Sequence, residues 1–147
     1  DDVTVQVLTQ SRDELIRTSF DSLAGARTAI VHLYNAVAPA WRKIVFGMDR
    51  HEVKQIAIDG ARMLADNAAR LPQTDWRFQY SPECFSTTEI DFSIEVCAAV
   101  MEVLAPTADK PIILNLPATV EAATPNIYAD QIEYFARHLP HRDRAVI

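Results

Sequence analysis

Glycine is scarce, with 3 residues in 147. Neither a G-x-G-x-x-G run nor a P-loop is present, which excludes the glycine-rich cradles that hold nucleotide phosphates. Cysteine is scarcer still: Cys84 and Cys97 form neither a disulfide framework nor a metal-ligand spacing, and read as reduced thiols of a cytoplasmic protein. No H-x-H, H-E-x-x-H or Cys cluster occurs, so spacing alone assembles no metal site. Basic residues are outnumbered, 14 against 20 acidic ones, for a net charge of −6. That balance argues against a nucleic-acid groove and against docking on an anionic membrane. No apolar run approaches the roughly 20 residues needed to span a bilayer.

What is present is the composition of a folded chain, 49% hydrophobic and 23% charged. The length suits one domain or a piece of a larger one. No signal peptide precedes the first strand-like run, which follows Asp1 and Asp2 at once. That abrupt start leads us to expect a chain that begins partway through a fold.

Short β-rich runs alternate with stretches of helical period. Strands are expected at Val3–Leu8, Ile30–Leu33, Trp76–Tyr80, Ile112–Leu116 and Ala145–Ile147. Ser11 with Glu14, and Ser86 with Glu89, have capping-box spacing and predict two helix starts. Between them, Val53, Ala57, Ala61, Leu64, Ala68 and Leu71 mark one face of a helix near His51–Leu71. Ile90, Ile94, Cys97, Met101 and Leu104 mark another. Thr124 before Pro125 predicts an N-cap and N1 proline, followed by Tyr128, Ile132, Phe135 and Leu139 on one face. Single apolar stripes predict helices packed on one side only. Such alternation implies right-handed βαβ units and a parallel sheet. The segment from Pro39 through Met48 predicts an extra short helix, in a position where insertions often carry function.

Ligands of parallel α/β folds bind beyond the carboxyl ends of the strands. Those ends carry Leu8, Thr9 and Gln10; His32, Tyr34 and Asn35; Ser81, Pro82 and Glu83; and Pro117, Ala118 and Thr119, with Glu121 beyond. Such a rim suits a small anionic or carbonyl substrate. Each residue also has a plainer role. A lone histidine in an alternating strand is more often a hydrogen-bonded core residue than a catalyst. Ser81 and Thr119 could cap turns, and Tyr34 could pack. His51, His138, His141 and the run His141–Arg144 read as solvated surface.

Taken together, VQVLTQSRDELI, AIVHLYNAVAP, VFGMDR, WRFQYSPECFSTTEIDF, LNLPATVEAATPNIYADQIE and HRDRAVI resemble the catalytic barrel of the 2-isopropylmalate synthases, across essentially the whole chain. The resemblance implies an α/β fold, a partial TIM barrel with about five parallel strands, the third through the seventh of eight. On that likeness residues 1–147 are a fragment of the catalytic domain, without its first strands, its end or the C-terminal regulatory domain. The implied reaction condenses acetyl-CoA with 3-methyl-2-oxobutanoate to give 2-isopropylmalate, in leucine biosynthesis.

By the same likeness, Thr119 binds the oxo-acid carboxylate. Leu8, His32, Ser81 and Pro117 surround its branched side chain, with Tyr34 nearby, and Glu83 belongs to an acid/base network at the acetyl group. The family's divalent metal (Mg, Mn or Zn) is held by a first-strand aspartate and a seventh-strand H-x-H, which lie outside this sequence. The implied setting is a cytoplasmic homo-oligomer, a dimer when complete, acting on small molecules. The fragment is then expected to be inactive alone. Homocitrate or citramalate synthases, a hydroxymethylglutaryl-CoA lyase-like barrel, and a non-catalytic half-barrel module are the alternatives.

Overall fold

In a computed structural model, which describes residues 2–147, five strands form one parallel sheet in chain order, β1 to β5. They are β1 (Val5–Gln10), β2 (Thr28–Ala36), β3 (Asp75–Glu83), β4 (Ile112–Leu114) and β5 (Ala145–Val146). The helices between them are α1 (Asp13–Ser22), α2 (Arg50–Arg70), α3 (Ile90–Leu104) and α4 (Pro125–His138). Sequential order without reversal is the arrangement of a barrel wall, whereas a doubly wound sheet turns back on itself.

Period-two alternation sorts the side chains. On β2, Ala29, Val31 and Leu33 are fully buried against the helices. Ile30, His32 and Tyr34 point to the other face and are only half-buried. The register carries this sorting across the sheet: Leu8 lies beside His32, His32 beside Gln79, and Gln79 beside Ile113. The core therefore lies between sheet and helices, centred on Ile16, Phe20, Leu33, Leu64, Tyr80, Phe92, Leu114 and Phe135.

β2 and β3 run further toward their carboxyl ends than their apolar runs suggest, so Tyr34, Ser81 and Glu83 belong to strands. Pro82 is tolerated inside β3. Tyr80 accepts from Asn115 on the β4 side, whereas Glu83 accepts from Val37 on the β2 side. Pro82 shares the parity of Tyr80, so its missing N–H falls on the β4 side, past the end of that strand. β1 starts two residues later than its apolar run, because pairing begins at Val5 opposite Ala29. β4 stops at Leu114 rather than Leu116, although Asn115 N–H still bonds the Tyr80 carbonyl.

Two expected capping boxes do not form. Ser11 lies before the N-cap, which is Arg12, and its hydroxyl donates to the Ile56 carbonyl at 2.7 Å. Gly60 makes this approach possible, since a Cβ there would sit 2.2 Å from Ser11 Oγ. Ser86 instead donates to the Val120 carbonyl at 2.7 Å, and Glu89 is the N-cap residue, without a side-chain cap bond. The box that does form is Asp49 with Glu52, at the start of α2. Thr124 is the N-cap of α4 with Pro125 at N1, but its hydroxyl makes no cap bond. α3 also departs from single-sided packing. Phe92, Ser93, Val96, Cys97, Val100 and Met101 are all buried, because α3 packs against β3, α2 and α4 at once.

The extra segment after β2 forms one π-helical turn, Trp41–Phe46. Its buried Arg42 donates to the Val37 carbonyl at 2.6 Å and makes a two-pronged ion pair with Glu89, at 2.7 and 3.0 Å. Arg50 reaches the same carboxylate at 3.0 Å, and both guanidinium groups lie over the Phe92 ring. The two cations hold the Glu89 carboxyl down, at about 2. This clamp ties the segment after β2 to the start of α3.

Candidate functional site

Seven residues singled out in the sequence, Leu8, His32, Tyr34, Ser81, Glu83, Pro117 and Thr119, line one hollow of about 260 Å³. It opens on the face of the sheet that the helices leave free, toward the carboxyl ends of the strands. Asn115 completes the lining and was not among the residues read from the sequence. Its signal was the same alternation: it stands two residues before Pro117, on the same face, within the expected strand Ile112–Leu116.

The same alternation removes three rim residues. Thr9 is buried on the helix face, and Pro82 shares that orientation. Asn35 is buried behind the site, accepting from Tyr80 Oη at 2.8 Å and donating to the Val53 carbonyl at 3.4 Å. Glu121 lines a separate neighbouring hollow with Ser86, Tyr128 and Gln131. His51, His138 and His141 are exposed and outside the hollow. The two cysteines are free and buried.

His32 sits at the floor of the hollow. Its Nε2 is 2.6 Å from Ser81 Oγ and 3.4 Å from the Gln79 carboxamide nitrogen. Its Nδ1 is 3.4 Å from the Gln6 carboxamide nitrogen. Ser81 Oγ in turn accepts from Asn115 Nδ2 at 2.8 Å. Burial pushes the His32 pKa below its ordinary 6.5, so the ring is neutral at neutral pH. Ser81 and His32 therefore form a fixed, uncharged floor.

At the rim, Cys84 adopts a left-handed backbone conformation, φ 63°, which turns the chain sharply after Glu83. The turn aims its N–H at Thr119 Oγ1, at 3.1 Å. With that oxygen accepting, the Thr119 hydroxyl hydrogen remains free to donate to an anionic ligand. Glu83 is half-buried, its carboxyl makes no hydrogen bond or ion pair among the described residues, and burial raises its pKa. A carboxylate of this kind takes up a proton more readily than a solvated one, which suits acid/base work. Leu8 and Pro117 supply apolar wall. No Lys or Arg lines the hollow.

A metal does not fit these residues. Among the described residues no group of three or more His, Cys, Asp or Glu could hold one. Among the described residues no helix is long and apolar enough to cross a membrane.

The HMGL-like family model matches residues 1–147. Proteins named 2-isopropylmalate synthase from Pseudomonas syringae pv. tomato and from Pseudomonas putida are each 58% identical over all 147 residues. One from Azotobacter vinelandii is also 58% identical over the same span. The chain spans about a quarter (26%) of the length of these curated relatives.

Proposed function

The chain belongs to the HMGL-like family, and from that premise we propose that it forms one wall of the active site of a 2-isopropylmalate synthase. The complete enzyme would condense acetyl-CoA with 3-methyl-2-oxobutanoate to 2-isopropylmalate, in the route to leucine. The observation that carries this reading is the single hollow joining Leu8, His32, Tyr34, Ser81, Glu83, Pro117 and Thr119. The names of the relatives support it. On this reading residues 1–147 are the middle of a TIM-barrel catalytic domain, with the remaining strands and the regulatory domain elsewhere in the protein. A cytoplasmic homodimer is part of the same proposal.

The roles follow from the lining. Thr119 donates its hydroxyl proton to the oxo-acid carboxylate. The neutral Ser81–His32 floor, with Leu8, Pro117 and Tyr34, surrounds a short branched apolar side chain. A second carboxylate finds no cation in this wall, which favours a monocarboxylic oxo acid over the dicarboxylic one of a homocitrate synthase. Glu83 belongs to the acid/base network that moves a proton at the acetyl methyl carbon. The carbanion so formed attacks the ketone carbon, and hydrolysis of the thioester releases free CoA. The divalent cation that the resemblance implies would polarise the ketone. Its ligands would come from residues outside this chain.

The test is a free-thiol assay on the complete enzyme carrying this segment, with acetyl-CoA and one oxo acid at a time. Release of CoA with 3-methyl-2-oxobutanoate, well above that with pyruvate or 2-oxoglutarate, supports the reading. A preference for either of the others moves the protein to a citramalate or homocitrate synthase. No condensation at all, with cleavage of 3-hydroxy-3-methylglutaryl-CoA instead, makes it a lyase.

A further inference from the structure

The hydrogen-bond chain beneath the hollow has a direction that no residue role above requires. Asn115 Nδ2 can only donate, and it donates to Ser81 Oγ at 2.8 Å. Ser81 lies 2.6 Å from His32 Nε2, and the Gln79 carboxamide nitrogen, also a donor, lies 3.4 Å from the same ring nitrogen. Ser81 Oγ accepts from Asn115, and among the described residues its hydroxyl proton has no acceptor but Nε2, so that nitrogen is the acceptor. The ring proton then sits on Nδ1, facing Gln6, whose carboxamide accepts it through its oxygen after a half-turn that exchanges only O and N. Arg77 and Glu83 share the open side of β3, but Arg77 turns to Asp75 and neither bonds the ring.

We propose that Asn115 is a positioning residue: acting through Ser81, it fixes the neutral His32 ring with Nε2 unprotonated. Asn115 stands two bonds away from the ring, on the next strand segment, and acts by orienting the Ser81 hydroxyl. The consequence for selectivity rests on the proposed function, because the fixed ring keeps its proton away from Ser81 and presents an uncharged wall to the oxo-acid side chain. The tautomer itself does not depend on that reading.

The experiment is nitrogen NMR of the complete protein carrying this segment, labelled with [¹⁵N]histidine, in which His32→Gln assigns the imidazole pattern that disappears. The expected native pattern has Nδ1 protonated and Nε2 bare. Asn115→Asp replaces the donor by an acceptor of the same shape. Ser81 then donates to the new carboxylate and accepts from the ring, so the proton moves to Nε2. If Asn115→Asp does not fold, Ser81→Ala serves, and is expected to leave a mixture of tautomers. A native ring already protonated at Nε2, or a pattern unchanged in the folded variant, overturns the proposal. Neither readout involves turnover, so an enzyme of different substrate preference would still pass or fail it.

Discussion

The two faces of β2 differ by one residue of register and by almost everything else. Ala29, Val31 and Leu33 are fully buried under the helices. Ile30, His32 and Tyr34, interleaved with them, face the open side, where His32 is engaged by Ser81 and by two carboxamides. One face is held by apolar burial, where a polar group without a partner is costly. The other is held by directed hydrogen bonds, which leave room for a ligand. A strand can serve both because its side chains alternate strictly.

The comparison predicts the largest effect on the helix face. Leu33→Ala should cost about 2–5 kcal/mol of stability, by lost transfer energy and the cavity left behind. His32→Leu, one residue away, should change stability by less than half as much. Urea denaturation of both variants measures the contrast. Equal losses would show that the open face is as tightly packed as the closed one.

On the open face the expected loss is in binding. Thr119→Ala in the complete enzyme should weaken oxo-acid binding by about 1.5–3 kcal/mol, the usual worth of a hydrogen bond to a charged group. Acetyl-CoA binding should change little. Steady-state kinetics with each substrate varied separates the two, and Thr119→Ser should recover most of the loss.

The packing of α2 against the start of α1 gives a smaller effect. Gly60→Ala places a Cβ 2.2 Å from Ser11 Oγ and 3.0 Å from Leu33 Cδ2. A cost of about 1–3 kcal/mol is expected. Combining it with Ser11→Ala should recover part of that cost, by removing the nearest atom. Thermal unfolding of the two single variants and the double variant closes the cycle.

The smallest effect is at the rim, where Glu89 joins the segment after β2 to α3. Its folded pKa of about 2 lies below the ordinary 4.5, chiefly through its hydrogen bond to Arg42. The ion pair therefore stabilises fully above about pH 4.5 and is lost as pH falls toward 2. The carboxylate is 36% exposed, so the contribution is about 1 kcal/mol. Acid titrations of the native chain and Glu89→Gln should converge near pH 2 and separate above pH 4.5.

Much of this was legible in the residues. The five apolar runs and three helical stripes, together with the family resemblance, led to a parallel sheet with intervening helices. Seven strand-end residues named from the sequence meet in one hollow. Asn115 was not singled out, because it fell inside the expected strand Ile112–Leu116 rather than at its end, and only the register sets it beside Ser81. Nor were the separate fates of Thr9, Asn35 and Pro82. All three share the rim with the lining residues, and only the face of the sheet on which each falls removes them. Ser11 and Ser86 had capping spacing, but each hydroxyl found a carbonyl more distant along the chain.

By itself the sequence determined the periodicities: which segments are strands, which are helices, and which residues stand at strand ends. These depend on local propensity and on the spacing of apolar side chains, which are properties of the chain. The tertiary structure alone decided which polar groups meet. His32, Ser81 and Asn115 come from three different segments, and their hydrogen bonds exist only at separations near 3 Å. Parallel register, fixed by the packing of the helices between strands, brings them within that reach.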